Sequence, residues 1–170
     1  YVADAFENTI RKITSGGTAS TFAGFASVIG SADGTGAAAL FSNPSSLASD
    51  TNGNLYVADT NNATIRVITP AGIVTTLAGT AGQTGATDGT GAAARFNMPN
   101  GIAVDASGTI YVADTGNHTI RKVTQAGVVT TLAGSAGLTG VTNATGTAAR
   151  FNSPYALAVD TSGNLYVADT

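Results

Sequence analysis

Tyr1, Tyr56, Tyr111 and Tyr166 stand 55 residues apart at every step. Asp4, Asp59, Asp114 and Asp169 keep the same interval, as do Arg11, Arg66 and Arg121, then Pro44, Pro99 and Pro154, then Asp50, Asp105 and Asp160. A strict period of this length limits the chain to a repeat architecture, in which each unit hides its apolar surface against like neighbours. The units are 1–55, 56–110 and 111–165, with 166–170 opening a fourth, all within one segment spanning 1–170. Units 2 and 3 agree at 36 of 55 positions, with no insertion or deletion, and unit 1 has drifted further.

Within a unit the pattern predicts four short strands, which in unit 2 are Leu55–Asp59, Thr64–Thr69, Ile73–Ala78 and Gly101–Asp105. β-Branched and aromatic residues fill them, and turn residues part them. Leu55-Tyr56-Val57-Ala58 is apolar at every position, as a strand must be when sheets pack on both of its faces. Asp105-Ala106-Ser107-Gly108 and Thr69-Pro70-Ala71-Gly72 are tight turns, so neighbouring strands run antiparallel. The segment from Gly79 to Pro99 reads as a long loop whose alanines form one helical turn. Four short antiparallel strands per unit, repeated, predict an all-β propeller of four-stranded blades, about three of them in this chain. A β-solenoid is the rival, but its coils are much shorter than 55 residues.

Composition narrows the function. Hydrophobic residues make up 43% of the chain and charged ones 10%, the reverse of a disordered segment. Seven basic against ten acidic side chains leave a net charge of −3, without the basic stripe that nucleic acid requires. No apolar run is long enough for membrane insertion. The absence of cysteine removes disulfides, thiolate metal sites and thiol nucleophiles. The chain opens at Tyr1 in mid-pattern, without an initiator Met or signal peptide, and reads as a piece of something longer.

The run from Asn97 to Arg121, with its Asn-x-Pro-x-Gly-Ile-Ala-Val-Asp and Ile-Tyr-Val-Ala-Asp-Thr-x-Asn-x-x-Ile-Arg segments, resembles the NHL repeat. With Asp88-Gly89-Thr90-Gly91-Ala92-Ala93-Ala94-Arg95-Phe96 before it, the stretch is similar to the long repeat of bacterial surface or secreted proteins and of teneurin-like adhesion proteins. That resemblance implies a six-bladed ring, of which this chain would supply half. It also sets the inner strand first in each blade, so the blades here hold three, four, four and two strands, thirteen in all. Further blades of the same longer chain, or a second copy, would complete the ring. The family includes adhesion modules, RNA binders, sensors and an amidating lyase, so the resemblance leaves activity open.

No catalytic, metal or cofactor residues stand out. His118 is the only histidine and reads as an exposed turn residue, too few for a multi-histidine zinc site. No serine sits in a nucleophile elbow. Asp33-Gly34-Thr35-Gly36 and Asp88-Gly89-Thr90-Gly91 offer one carboxylate each, with Asn143 at the third equivalent, so an Asx turn accounts for them better than calcium. Arg66 and Arg121 are read as ion-pair partners of repeated aspartates. Arg95 and Arg150 are read likewise, and Leu40 loses that pair in unit 1. Asn62-Ala63-Thr64, Asn117-His118-Thr119 and Asn143-Ala144-Thr145 have the form of glycosylation acceptors.

Strand parity places the short turns on one face of the ring, and the long loops with the Asn-rich turns on the other. The units differ most on this loop face. Phe6 and Glu7 of unit 1 answer to Asn61 and Asn62 of unit 2 and to Gly116 and Asn117 of unit 3, with His118 beside them. Phe25, Gln83 and Leu138 differ in the long loops, and Ser45, Asn100 and Tyr155 share one position at the channel mouth. These residues are the candidate partner-binding set. The expected function is a non-catalytic binding, adhesion or scaffold module, secreted or on a cell surface, meeting a protein or glycan. The alternatives are part of a propeller enzyme whose catalytic residues lie in other blades, or a structural subunit of a surface assembly or filament.

Overall fold

The structure, a computed structural model, describes residues 1–170. Fifteen strands follow in order: β1 Val2–Asp4, β2 Thr9–Ile13, β3 Ala19–Ala23, β4 Gly34–Thr35, β5 Pro44–Ser49, β6 Leu55–Asp59, β7 Thr64–Ile68, β8 Ile73–Ala78, β9 Gly89–Thr90, β10 Pro99–Val104, β11 Ile110–Asp114, β12 Thr119–Val123, β13 Val128–Gly134, β14 Pro154–Val159 and β15 Leu165–Asp169. They form four antiparallel blades ordered β1-β2-β3, β5-β6-β7-β8-β4, β10-β11-β12-β13-β9 and β14-β15. The inner strands β5, β10 and β14 pack side by side. The all-β propeller expectation therefore holds, and the alanine-rich turn is the single 3₁₀ turn Gly91–Ala93.

Period-two alternation makes each blade a two-sided wedge. Leu55, Val57, Ile68 and Val74 of the second blade face back onto Ile10 and Ala23 of the first. Tyr56, Ile65 and Ala78 face forward onto Ile102, Ile110, Val112, Val123 and Val129 of the third. Every residue of β6 is consequently buried. Between blades runs the segment that carries the chain from one to the next. It inserts Ala39 and Phe41 into the first joint, and Ala94 and Phe96 into the second.

That connecting segment differs from the expected free loop. Gly34-Thr35 pairs with Ile73-Val74, and Gly89-Thr90 pairs with Val128-Val129, so each full blade gains a short fifth strand. The total is fifteen rather than thirteen. The physical reason is edge protection: the outermost strand would otherwise present a row of unpaired backbone groups. The inner strand also starts earlier than the sequence suggested, at Pro99 rather than Gly101.

The tight turns carry their own chemistry. Asp105 accepts the N–H groups of Ser107 and Thr109 at 2.9 Å, the Ser107 hydroxyl at 2.6 Å and the Tyr111 hydroxyl at 3.1 Å. Burial pushes its carboxyl up, but the hydrogen bonds from Ser107, Thr109 and Tyr111 outweigh burial and hold it below the ordinary value. Asp50 and Asp160 are lowered too. A folded-state value below the unfolded one adds stability that is fully present above about pH 4 and lost as pH falls through the folded value. We expect the urea midpoint to fall on acidification below that pH, and to fall less steeply in Asp105→Asn. An unchanged acid limb in the variant would remove this turn as its cause.

Candidate functional site

The repeated charged residues build scaffold. Fully buried Arg66 donates to Asp59 at 2.8 Å, to Asp33 at 2.7 Å, and to the carbonyls of Leu40 and Ala32. Its guanidinium lies 5.2 Å from the centre of the Phe41 ring. Arg121 repeats each contact with Asp114, Asp88, the Arg95 and Thr87 carbonyls and Phe96. Asp59 and Asp114 also accept the N–H of Ser42 and Asn97, at 2.8 and 2.7 Å. Burial pushes the Asp114 carboxyl up to about 6, against the Asn97 N–H, the Asn117 amide and Arg121, which hold it down. One guanidinium thus pins the connecting segment to the blade that follows it.

Two expectations are corrected here. Asp33 and Asp88 do not shape Asx turns; each bonds an arginine of the next blade and a threonine, Thr76 or Thr131. Arg95 and Arg150 form no ion pair. Their guanidinium groups fold along their own segment onto the carbonyls of Ala94 and Ala149, both at 2.7 Å, where the ends of 3₁₀ turns supply partial negative charge.

The candidate residues separate into two groups. Asn62 and Asn117 turn inward and are consumed: their amides donate to Asp59 and Gly30, and to Asp114 and Gly85. Neither can accept a glycan in this fold, whereas Asn143 is exposed. Gln83 accepts from Arg95 at 2.7 Å. His118 is half-buried rather than fully exposed, and its Nδ1 accepts the Ser153 N–H at 3.0 Å. Asn8 does the same for Asn43 two joints earlier, at 2.8 Å. His118→Ala should therefore cost about 1–2 kcal/mol by orphaning that donor, and His118→Asn should recover most of it in chemical denaturation. Equal loss in both variants would show that the ring acts by packing.

Of the remaining candidates Asn100 is buried and the others lie at the surface, several of them around two notches. A β-bulge offsets the inner strands at Pro44/Ser46, Pro99/Ile102 and Pro154/Ala156. A bulge re-aims the side chain it carries, here Ser45, Asn100 and Tyr155. They meet in a notch of about 160 Å³ with Ser46, Gly101, Ala156 and Leu157. Its floor closes tightly because residue 101 is glycine; a Cβ there would lie 2.6 Å from the Tyr155 carbonyl oxygen. Asn100 bonds the Met98 carbonyl and the Thr115 hydroxyl, while Tyr155 is 54% exposed. The second notch, about 210 Å³, brings Phe6 and Asn61 together with Ala5, Asn8, Ile29, Ser42 and Asn43. Ser42 and Asn43 carry no mark of this role in the sequence; Asn43 joins by donating its N–H to Asn8, 35 residues earlier. Phe25 and Leu138 are also exposed, and Glu7 accepts the Ser27 hydroxyl at 2.8 Å.

The comparisons with known proteins agree with this geometry. The NHL repeat model matches residues 41–68 and 96–123, each running from the buried phenylalanine through the inner three strands. The chain carries NHL repeats. Human NHL repeat-containing protein 2 is 36% identical over 126 residues, 68% of this chain and 17% of that protein. The chain spans between 9% and 20% of the curated relatives it matches. A structural genomics protein of unknown function from Bacteroides thetaiotaomicron shares 26% identity and a TM-score of 0.80, over 97% of this chain and 40% of that one. An auxiliary nutrient binding protein from the same organism matches at TM-score 0.71 and 19% identity, over 97% and 41% of the two chains. Solved structures of similar fold also include virginiamycin B lyase from Staphylococcus aureus, at TM-score 0.64 and 14% identity, over 98% of this chain and 43% of that one. At 19% and 14% identity these last two speak to the fold alone.

Proposed function

We propose that this NHL segment is a non-catalytic binding module, secreted or displayed on a cell surface, whose loop face meets a protein or glycan. One observation carries the reading: scaffold residues repeat from blade to blade, while the exposed positions of the loop face change identity on an unchanged backbone. Ser45, Asn100 and Tyr155 occupy one bulge in three blades and line a shared notch, where the Ser45 hydroxyl and the buried Asn100 amide are bonded within the fold and Tyr155 is left open to a partner. An exposed aromatic beside hydrogen-bonding groups suits both protein anchors and sugar faces. All ten carboxylates are held in local structure: four serve Arg66 and Arg121, three cap tight turns, Asp4 pairs with Arg11, Asp169 accepts from Asn152, and Glu7 accepts from Ser27. Such an allotment supports binding over general acid–base chemistry. Further blades of a longer chain would stack on the exposed face of the last sheet, where Tyr166 lies open.

The test uses the complete protein on a glycan and surface-protein array. Tyr155→Asn and Phe25→Thr install the residues found at the equivalent positions of unit 2, Asn100 and Thr80. We expect each to weaken a captured partner at least about tenfold with the melting temperature preserved. Capture that is indifferent to both would contradict the proposal.

A further inference from the structure

The connecting loops of the three units share one conformation. Gly30, Gly85 and Gly140 donate their N–H to Phe41, Phe96 and Phe151, and Ile29, Thr84 and Thr139 each bridge to the same phenylalanine. Unit 2 places Asn61, Thr80, Gln83 and Thr84 along this ridge, all polar. Unit 1 places Phe6, Phe25, Val28 and Ile29 there, respectively 95%, 56%, 38% and 70% exposed. Unit 2 shows that the backbone does not require them.

Nor does the exposure arise from a missing neighbour. The second blade has a blade on either side, and Asn61, Gln83 and Thr84 remain exposed. Four large apolar side chains exposed on one loop face, of which Phe6 and Ile29 line a notch with polar Asn43 and Asn61, mark an interaction site.

A second feature of the same loop points the same way. Units 2 and 3 use glycine at the left-handed position, Gly82 at φ 74° and Gly137 at φ 76°. Unit 1 keeps Ser27 there at φ 62°, against the preference of a residue with a Cβ. Its hydroxyl holds the Glu7 carboxylate at 2.8 Å. Glu7 forms no ion pair, and the chain as a whole is acidic, with net charge −3. Local strain is thus retained where it orients an unpaired anion next in the chain to Phe6, which with Ile29, Asn43 and Asn61 lines the notch of about 210 Å³.

We infer that the Phe6–Ile29 cluster is a docking site for a polypeptide segment that inserts an aliphatic or aromatic side chain into this notch and sets a lysine or arginine against Glu7. The inference rests on the loop face being a binding surface, but uses a notch separate from that of Tyr155. An anionic lipid surface fits less well, since Glu7 and the negative net charge oppose it.

The probes are short synthetic peptides with a Leu/Phe core flanked by lysines, and the same cores flanked by glutamates. Binding to the complete protein is read by fluorescence anisotropy and by backbone amide shifts. The lysine-flanked set should bind and shift the amides of residues 5–8 and 25–29. The quadruple variant Phe6→Asn, Phe25→Thr, Val28→Gln, Ile29→Thr should weaken this at least about tenfold, and Glu7→Gln several-fold with loss of salt dependence. Tyr155→Asn should leave it unchanged, which separates failure of this site from failure of the loop-face reading. If the quadruple variant misfolds, the wild-type shift map and Glu7→Gln decide alone. Three results would overturn the inference: no lysine-flanked peptide binds, glutamate-flanked peptides bind equally, or phosphatidylserine vesicles bind through the four apolar residues while the peptides do not.

Discussion

Asp114→Ala should destabilise the folded chain by about 3–5 kcal/mol. The reason lies with the partner left behind. Arg121 is buried, and Asp114 is the only fully buried carboxylate it meets, since Asp88 is 47% exposed. Deleting Asp114 leaves a guanidinium short of its inner counter-charge, and it strips the Asn97 N–H and the Asn117 amide of their acceptor. Asp114→Ala combined with Arg121→Met should therefore be less damaging than the sum of the two single changes. Urea denaturation across the four-member cycle measures this coupling. Additive effects would show that the two residues act independently, contrary to the geometry.

Phe96→Ala should cost about 3–5 kcal/mol through the cavity it leaves. Phe96 is wholly buried where the second and third blades meet, among Ile65, Ala78, Ile110 and Val112. It also carries the Arg121 guanidinium on its ring at 5.2 Å, so its loss removes a cation–π contact as well as apolar area. Phe96→Leu should retain most of the packing and lose the cationic contact, separating the two contributions. Melting curves of the pair would check this. A Phe96→Ala variant as stable as the parent would mean that the joint is not packed as described.

The sequence made the blades legible because a blade's chemistry is local and periodic. The all-apolar run Leu55–Ala58 and the turn at Asp105–Gly108 need no knowledge of distant residues. The 55-residue step then showed which residues answer to one another, and identified Arg66 and Arg121 as scaffold. Less could be read where partners lie far apart in the chain. Asp33 reaches Arg66 across 33 residues, and nothing in Asp-Gly-Thr-Gly distinguishes an ion-pair acid from a turn-former. Arg95 carries a full charge but is satisfied by carbonyls, which leave no mark in a sequence. Of the candidate face, residues that differ between units were easy to find, but their orientation was not. Asn62 and Asn117 resembled Asn61 in kind, yet their amides lie under the backbone rather than above it. The first unit's apolar loop was visible, whereas the notch beneath it depends on Ser42 and Asn43, brought in by the next blade.

A buried carboxylate, Asp59 or Asp114, fastens the connecting segment to the following blade at each of the first two joints. Amide hydrogen exchange of Ser42 and Asn97, whose N–H groups are given to Asp59 and Asp114, tests this most directly. Both lie outside the strands, so a loose connecting segment would let them exchange as fast as the exposed turn amide of Ser107. Protection matching that of the central-strand amides of Val57 and Val112, and lost together with them in denaturant, is the expected result. Fast exchange at Ser42 and Asn97 while those strands stay protected would contradict it.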